Sequence, residues 1–244
     1  MYQCKKCHDK GIVLHENVAY RCNCWSQKML DLKIKKANLN VSFNDAKFSN
    51  FKLDYYPNTI PPDGEATYRE RANKALLAAK GFINDINTNQ FKKGLFFCGP
   101  VGSGKTFLAS AIARELLLNN HEVLFVVVPD FLDALRFTFD RNDNDNITEK
   151  SLMDVVWNIP ILILDDLGAH NYTEWTINKI YSLLNYRLNH KLPTIITSNL
   201  TLNELESLLG DRTCSRIIAL CNISRLLVPK DIRYIQSLNN IALQ

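Results

Sequence analysis

Apolar and polar positions alternate in blocks along most of the chain, and the blocks switch between extended and helical periodicity. Short, nearly continuous apolar runs predict buried strands over residues 94–98, 123–128, 161–164, 194–198 and 224–228. Apolar residues at helical spacing predict helices over residues 65–86, 107–118, 130–139, 173–189, 203–208 and 211–220, with one more helical stretch before residue 161. Strands that are apolar on both faces and alternate with helices are typical of a parallel sheet covered by helices on both sides. We therefore predict an α/β fold.

The first 64 residues do not follow this alternation. Residues 25–36 combine apolar and lysine positions at helical spacing, which predicts a basic linking helix. Residues 37–64 contain several prolines and irregularly spaced aromatic residues, so this segment is predicted to be a connector. Its aromatic side chains are expected to pack onto the domain that follows; they are Phe43, Phe48, Phe51, Tyr55 and Tyr56. Stacking of nucleic-acid bases on these rings is the alternative, although the neighbouring acids and prolines favour packing.

Composition narrows the class of protein. The chain has 244 residues, 46% of them hydrophobic and 22% charged, as in globular proteins that bury a full core. The polar start does not resemble a signal peptide and no apolar run approaches a membrane span, so we expect a cytoplasmic protein without membrane association. Net charge is only +4, but residues 1–50 carry nine Lys or Arg and four Asp or Glu. This basic front suits an acidic partner, and a solvated face explains it equally well.

Four of the seven cysteines form two close pairs near the start of the chain, Cys4-x-x-Cys7 and Cys22-x-Cys24. Two such pairs separated by a short stretch are typical of a four-thiolate zinc site. A segment this small cannot build its own core, so zinc would supply much of its folding free energy. A redox Cys-x-x-Cys motif is the main alternative, but it gives no role to Cys22 and Cys24. We favour zinc bound by all four thiolates.

The most specific motif is Gly-Pro-Val-Gly-Ser-Gly-Lys-Thr at residues 99–106, which fits the phosphate-loop pattern G-x-x-x-x-G-K-[ST] at every fixed position. It follows a predicted strand and opens a predicted helix, the context in which backbone N–H groups and a helix N-terminus face phosphate oxygens. The expected nucleotide is ATP or its product ADP: Lys105 is expected to reach the β- and γ-phosphates of ATP, and Thr106 to bind Mg²⁺. The residues expected to bind the nucleotide are Gly99, Pro100, Val101, Gly102, Ser103, Gly104, Lys105, Thr106 and Phe107.

Polar residues at the ends of two predicted strands extend this site. Asp165 and Asp166 follow the apolar run 161–164, and parallel sheets bind ligands at the carboxyl ends of their strands. Asp165 is expected to face the Mg²⁺, and Asp166 to orient or deprotonate the attacking water. Asn199, at the end of the next strand, could hold the γ-phosphate or that water; an ordinary turn residue is the alternative.

Arg212 and Arg216 lie four residues apart and therefore share one face of a predicted helix. A guanidinium aimed at the γ-phosphate would stabilise the charge that develops during phosphoryl transfer. A solvated face or a structural ion pair explains either arginine equally well. Spacing alone leaves these alternatives open.

Three segments together resemble a known family: LDDLGA at 164–169, TSNL at 197–200 and GDRTCSR at 210–216. With the phosphate loop before them, they resemble AAA+ ATPases, and more narrowly the DnaC/DnaI-type bacterial helicase loaders and the related IstB-type transposition helper ATPases. The resemblance implies a P-loop NTPase (AAA+) fold with Asn199 as sensor 1. It implies Arg216, with Arg212 nearby, as the finger that completes a neighbour's site. Arg233, in the segment KDIR, is implied as a further nucleotide contact.

The resemblance also implies a loader that delivers the hexameric replicative helicase onto DNA. Its ATPase activity would be slow and partner-stimulated, because Asp166 replaces the longer Glu of the wider superfamily. The N-terminal module would dock the helicase, the ATPase domain would contact single-stranded DNA, and ATP would drive homo-oligomer assembly. The implied division is a zinc module with its linking helix (1–36), a connector (37–64) and an AAA+ ATPase domain (65–244). A transposition helper ATPase and a nucleotide-gated adaptor with little turnover are the alternatives.

Overall fold

The computed structural model describes residues 7, 12–15, 18–21, 45–62, 64, 66–138 and 148–241. Two short strands come first, β1 (Ile12–His15) and β2 (Val18–Arg21). They pair antiparallel, with Ile12 opposite Arg21. The helix predicted over 25–36 lies outside the described residues.

Five strands form the central sheet, and every pairing between them is parallel. They are β3 (Gly94–Cys98), β4 (Val123–Val127), β5 (Ile161–Asp165), β6 (Thr194–Ser198) and β7 (Cys221–Arg225). Their order across the sheet is β4-β5-β6-β3-β7, and every residue of β3 is buried. The carboxyl ends of β3, β5 and β6 therefore meet at one edge, where parallel sheets bind ligands.

Helices cover both faces of this sheet. They are α1 (Tyr68–Asn87), α2 (Lys105–Leu118), α3 (Val128–Phe137), α4 (Glu149–Asn158), α5 (Glu174–Asn189), α6 (Leu202–Leu209), α7 (Asp211–Leu220) and α8 (Ile232–Ile241). Helices α1 and α2 pack with Leu95 and Phe97 of β3 in one core layer, and α3 to α7 pack with Phe96 and Cys98 in the other. The predicted parallel α/β sheet covered on both sides is therefore confirmed.

Threonine residues set the starts of four helices. Each of these threonine side chains accepts a hydrogen bond from the backbone N–H three residues later, and the side chain of that later residue accepts one from the threonine N–H. The four are Thr67, Thr148, Thr173 and Thr201. Helix α1 therefore begins at Tyr68 and not at residue 65 as predicted.

The last strand covers Cys221–Arg225, so the prediction of residues 224–228 is wrong. Strand β7 follows α7 without a loop, and the apolar residues after it leave the sheet. Leu226 is fully buried there, and its N–H bonds to the Cys98 carbonyl where the phosphate loop begins. Leu226 belongs to the core layer that contains α1 and α2, and Val228 packs against it, which explains the apolar run.

The connector packs onto the domain, as predicted. Its described part forms two short 3-10 helices, Phe48–Asn50 and Leu53–Tyr55. Tyr56 is buried in the core layer that contains α1, and Phe48, Phe51 and Tyr55 pack against the same layer. Phe43 lies outside the described residues.

Candidate nucleotide-binding site

The phosphate loop runs from the end of β3 to the first turn of α2, at the carboxyl edge of the sheet. Gly104, the residue before α2, has a φ of +92°, a left-handed conformation that glycine adopts without strain. A β-carbon at this position would lie 2.8 Å from the Tyr56 hydroxyl, so the site excludes a larger residue. The N–H groups in the first turn of α2, together with the helix dipole, favour an anion at this point.

The Lys105 side chain is buried within this loop. Its ammonium group donates hydrogen bonds to the Gly99 and Pro100 carbonyl oxygens at 2.8 Å each and to Ser103 Oγ at 3.4 Å. Burial lowers the pKa of Lys105 to about 8, against the opposing fields of Asp166 and Asp165. The loop thus bonds a buried cation through neutral partners only, an arrangement that a bound anion would stabilise.

Asp165, the last residue of β5, is buried at the same edge. Its Oδ1 atom accepts hydrogen bonds from Thr197 Oγ1 at 2.6 Å and from Thr106 Oγ1 at 3.0 Å. Burial raises the pKa of Asp165, and these two hydroxyl donors and the Lys105 charge oppose that rise. Thr106 and Asp165 therefore present adjacent oxygen atoms, the type of ligand that Mg²⁺ prefers.

Asp166 has a φ of +61°, a left-handed conformation that is uncommon outside glycine. Its N–H donates to Thr197 Oγ1 at 3.0 Å, and its Oδ1 accepts a hydrogen bond from Asn199 Nδ2 at 2.6 Å. The structure thus brings Asn199 into contact with the carboxylate predicted to act on water. No role for Thr197 is predicted from the sequence. The feature that could have indicated one is a hydroxyl group in a central strand, close to its carboxyl end.

A cavity of about 500 Å³ opens over these groups. The predicted site residues that line it are Val101, Gly102, Gly104, Lys105, Thr106, Phe107, Asp165, Asp166, Asn199 and Arg233. Gly99, Pro100 and Ser103 contact the Lys105 ammonium group from within the loop. The structure therefore gathers the phosphate loop, the paired acids and the tip of β6 around one space.

One wall of this cavity comes from the connector, which sequence reasoning did not predict. The connector residues that line it are Ala46, Asn50, Phe51, Lys52, Tyr55 and Tyr56. The Tyr56 hydroxyl donates to the Ser103 carbonyl oxygen at 2.7 Å, and the Phe51 ring lies 6.1 Å from the Phe107 ring. Helix α8 adds Ile232, Arg233 and Gln236.

Comparison with known proteins agrees with this geometry. The sequence model of the family described as IstB-like ATP binding protein matches residues 71–227. That range begins within α1, ends just after β7, and exceeds half of the chain. The chain belongs to the IstB-like ATP-binding protein family.

Proteins similar in sequence to this chain have a more specific name than the family. The chain is 33% identical over 148 residues to the replicative helicase loader DnaC of Buchnera aphidicola subsp. Baizongia pistaciae, a match that covers 61% of this chain and 58% of the relative. It is 33% identical over 126 residues to the replicative helicase loader DnaI of Bacillus subtilis, which covers 51% and 39%. The chain thus spans about half the length of these two relatives.

A solved structure supports the fold assignment. The crystal structure of the DnaC helicase loader superposes with a TM-score of 0.55 at 28% sequence identity, over 74% of this chain and 98% of that one. Together with the strand order and the phosphate loop after β3, this likeness identifies the AAA+ form of the P-loop fold.

In this IstB-like protein, Arg212 and Arg216 do not belong to the lining of the cavity. Both lie on α7; Arg212 is exposed, and the Arg216 guanidinium lies over the Tyr181 ring of α5 at 5.8 Å. The structure therefore does not bring the two arginines together with the phosphate loop of their own chain.

Three of the four predicted zinc ligands, Cys4, Cys22 and Cys24, lie outside the described residues, and Cys7 is buried. Across the part of the chain that the structure describes, no cluster of three or more His, Cys, Asp or Glu side chains could hold a metal ion. The helices of that part include none long and apolar enough to cross a membrane.

Proposed function

We propose that this IstB-like protein is an ATP-dependent loader that delivers a replicative DNA helicase onto DNA during initiation or restart of replication. One observation carries the proposal: Lys105, Thr106, Asp165, Asp166 and Asn199 meet around one cavity, in a chain similar to proteins named replicative helicase loaders. The cytoplasmic location expected from the sequence belongs to the same proposal.

The cavity fits ATP or ADP in size and charge. Its volume of about 500 Å³ is typical of small-molecule sites. Lys105 would exchange its loop carbonyl partners for β- and γ-phosphate oxygens, and the N–H groups that begin α2 would donate to the same phosphates. Phe51 and Tyr55 of the connector would pack against the base, because their rings line this side of the cavity.

We propose slow hydrolysis of ATP to ADP and phosphate at this site. Thr106 and Asp165 would hold Mg²⁺, which when bound neutralises charge on the β- and γ-phosphates. Asp166 would orient the attacking water and accept its proton, while Asn199 fixes the Asp166 carboxylate. The side chain of Asp166 is shorter than Glu and already accepts this hydrogen bond, so we expect turnover to rise only when a partner repositions it.

Arg216, with Arg212 beside it, would complete the site of a neighbouring copy in an ATP-dependent homo-oligomer. Two observations support this role. The half-buried Arg216 has its guanidinium 5.8 Å from the Tyr181 ring, and its Nε atom has no hydrogen-bond partner among the described residues. Arg233 lines the cavity of its own chain and would contact the nucleotide from α8.

We propose that residues 1–36 form a zinc module that docks the helicase, joined by the connector 37–64 to the ATPase domain 65–244, which contacts single-stranded DNA. The hairpin of β1 and β2 supports the zinc assignment. It lies between the two cysteine pairs in sequence, and its strands pair antiparallel with Ile12 opposite Arg21, the last residue before Cys22.

A pull-down tests the loader proposal. The full chain, supplied with zinc, is incubated with the host's hexameric replicative helicase in ATP or in ADP, with Lys105→Ala as the matched control. We expect capture in ATP that the control loses. If neither nucleotide gives capture of the helicase, the loader proposal is wrong, even though the nucleotide site stands.

The family description favours one second candidate, a transposition helper ATPase, because the matched family is named for IstB-like proteins. Capture of a transposase in place of the helicase would support that candidate. An adaptor with little turnover is separated from both by Asp166→Asn: under our proposal this variant traps the partner complex, and under the adaptor hypothesis release is unchanged.

A further inference from the structure

Strands β5 and β6 are joined at their carboxyl ends by side chains as well as by backbone. Thr197, one residue before the end of β6, has one hydroxyl group that makes two hydrogen bonds. It donates its proton to Asp165 Oδ1 at 2.6 Å and accepts the N–H of Asp166 at 3.0 Å. One oxygen atom thus contacts both members of the acidic pair.

This contact is enclosed by protein. Thr197 is only 1% exposed, and its own carbonyl oxygen accepts the Leu167 N–H at 2.9 Å, which fixes the tip of β6 against the segment after β5. A hydroxyl in this setting has little freedom to rotate away, because a buried polar group that loses its partners cannot replace them with water.

The Asp166 backbone needs such support. Left-handed backbone conformations are unfavourable for most residues with a β-carbon, and they persist where the surroundings impose them. At Asp166 the restraints include Thr197 on the N–H, Asn199 on the carboxylate and the Ala169 N–H on the carbonyl oxygen. Loss of the Thr197 bond would leave the Asp166 N–H without its hydrogen-bond acceptor and would loosen the backbone that carries the carboxylate.

We propose that Thr197 is a positioning residue for hydrolysis: its hydroxyl fixes Asp165 as a Mg²⁺ ligand and Asp166 as the group that acts on water. The inference rests on the ATPase activity proposed above. It assigns Asn199 and Thr197 different tasks at the tip of β6, one holding the Asp166 carboxylate and the other the backbone that carries it.

The chain offers a matched control in Ser198, the next residue of β6. Its hydroxyl is also fully buried, donates to the Leu167 carbonyl oxygen and accepts the Leu200 N–H at 3.0 Å. It therefore ties the same two segments together but makes no hydrogen bond to either acid. Thr197→Val and Ser198→Ala each remove one buried hydroxyl, and only the first removes contact with the acids.

The test measures steady-state hydrolysis and Mg²⁺-dependent ATP binding in the full chain for Thr197→Val, Thr197→Ser and Ser198→Ala. We expect Thr197→Val to lower kcat by roughly 10- to 100-fold and to raise the Mg²⁺ concentration needed to tighten ATP binding, as supporting residues of metal ligands do. ATP affinity without Mg²⁺ should stay near that of the unmodified chain. Thr197→Ser, which keeps the hydroxyl, and Ser198→Ala should retain kcat.

Two results would overturn the inference: an unchanged kcat and Mg²⁺ requirement in Thr197→Val, or an equal loss in Ser198→Ala, which would indicate a merely structural effect. If Thr197→Val does not fold, Thr197→Ala replaces it, with thermal unfolding as the check. The unmodified chain separates the ATPase proposal from the positioning role of Thr197. If the unmodified chain does not hydrolyse ATP, the proposed function is wrong. If it does and Thr197→Val is equally active, only the positioning role is wrong.

Discussion

A cationic side chain is buried at each of the two edges of the central sheet, and the two side chains differ in their hydrogen-bond partners. At the amino edge, Arg187 of α5 is fully buried and donates to Thr194 Oγ1 at 2.8 Å and to carbonyl oxygens of Val156, Ile159 and Pro193 at 3.0, 2.9 and 2.7 Å. At the carboxyl edge, Lys105 donates only to its own phosphate loop.

The difference lies in where the partners come from. The partners of Arg187 belong to the start of β6, six or seven residues away, and to the segment from the end of α4 into β5, which lies 28 to 31 residues away. One planar guanidinium thus joins its own helix and the start of β6 to a segment that is distant in sequence. Losing it would leave several carbonyl oxygens buried without a donor. The partners of Lys105 lie within six residues of it and can be exchanged for a ligand without opening the fold. A buried cation held by distant segments is structural, and one held by its own loop is available for binding.

Removing the arginine is expected to have the largest effect. Arg187→Met keeps the apolar part of the side chain but orphans its carbonyl partners, so we expect the free energy of unfolding to fall by about 3–5 kcal/mol. Urea denaturation monitored by circular dichroism measures this. Arg187→Lys, which keeps a charge and some donors, should lose less. A change below about 1 kcal/mol in Arg187→Met would contradict the structural role.

Removing the lysine should show the reverse pattern. Lys105→Ala is expected to weaken ATP binding by roughly 100-fold, about 2.7 kcal/mol, because the site loses its buried positive charge. Without nucleotide, the free energy of unfolding should stay within about 1 kcal/mol or rise, since burial of the ammonium group is unfavourable. Equilibrium titration with a fluorescent ATP analogue and urea denaturation measure the two quantities. A strongly destabilised Lys105→Ala would show that this cation is structural too.

The pH dependence of ATP binding sharpens the same contrast. Because the pKa of Lys105 is lowered to about 8 in the folded chain, its ammonium group is charged below that value in both states and loses its proton first in the folded state as pH rises. The ligand-free fold therefore gains stability from about pH 8 towards the ordinary lysine pKa, while ATP binding, which needs the proton, weakens. We expect roughly a tenfold loss of ATP affinity from pH 7 to pH 9.

Calorimetry in two buffers of different ionisation enthalpy checks this linkage, because ATP binding near pH 8.5 should take up a fraction of a proton. Lys105→Ala provides the control and should take up none at that residue. Constant affinity from pH 7 to pH 9 would argue against a titrating Lys105.

The smallest effect concerns the connector. Tyr56→Phe removes one hydrogen bond to the Ser103 carbonyl oxygen and leaves the ring in the core, so we expect ATP affinity to fall by a few-fold, on the order of 1 kcal/mol. The fluorescent-analogue titration measures it, with Tyr55→Phe as the neighbouring control. Equal losses of ATP affinity in both variants would show that the hydrogen bond from Tyr56 to the phosphate loop does not contribute specifically to ATP binding.

The sequence predicted the features of the site that are local in the chain. The phosphate loop is predictable because its glycines, Lys105 and Thr106 directly follow one strand. Asp165 and Asp166 are predictable because they directly follow the apolar run of another strand. Asn199 was reached from its position after a strand and from family resemblance. The resemblance also supplied the roles of Arg212, Arg216 and Arg233, which spacing left open.

Features that depend on distant contacts were missed. Tyr56 lies 47 residues from the Ser103 that it contacts, and Thr197 lies 32 residues from Asp165, so neither pairing leaves a periodic trace. Arg187 looks like the polar position of an amphipathic helix, because nothing nearby in sequence reveals the carbonyl groups gathered around it. The misplaced last strand has the same cause, since Leu226 is buried among α1 and α2, elements distant in sequence, although it lies beyond the end of β7.

The connector wall has a practical consequence for how the protein is cut. The sequence predicts residues 37–64 to be a connector, and a fragment beginning at residue 65 would follow the predicted domain boundary. Such a fragment would lack Phe51, Tyr55 and Tyr56, leaving one side of the cavity open and the Ser103 carbonyl oxygen without its donor. Weak nucleotide binding by that fragment would be an artefact of truncation, and the shortest faithful fragment begins before Asp45.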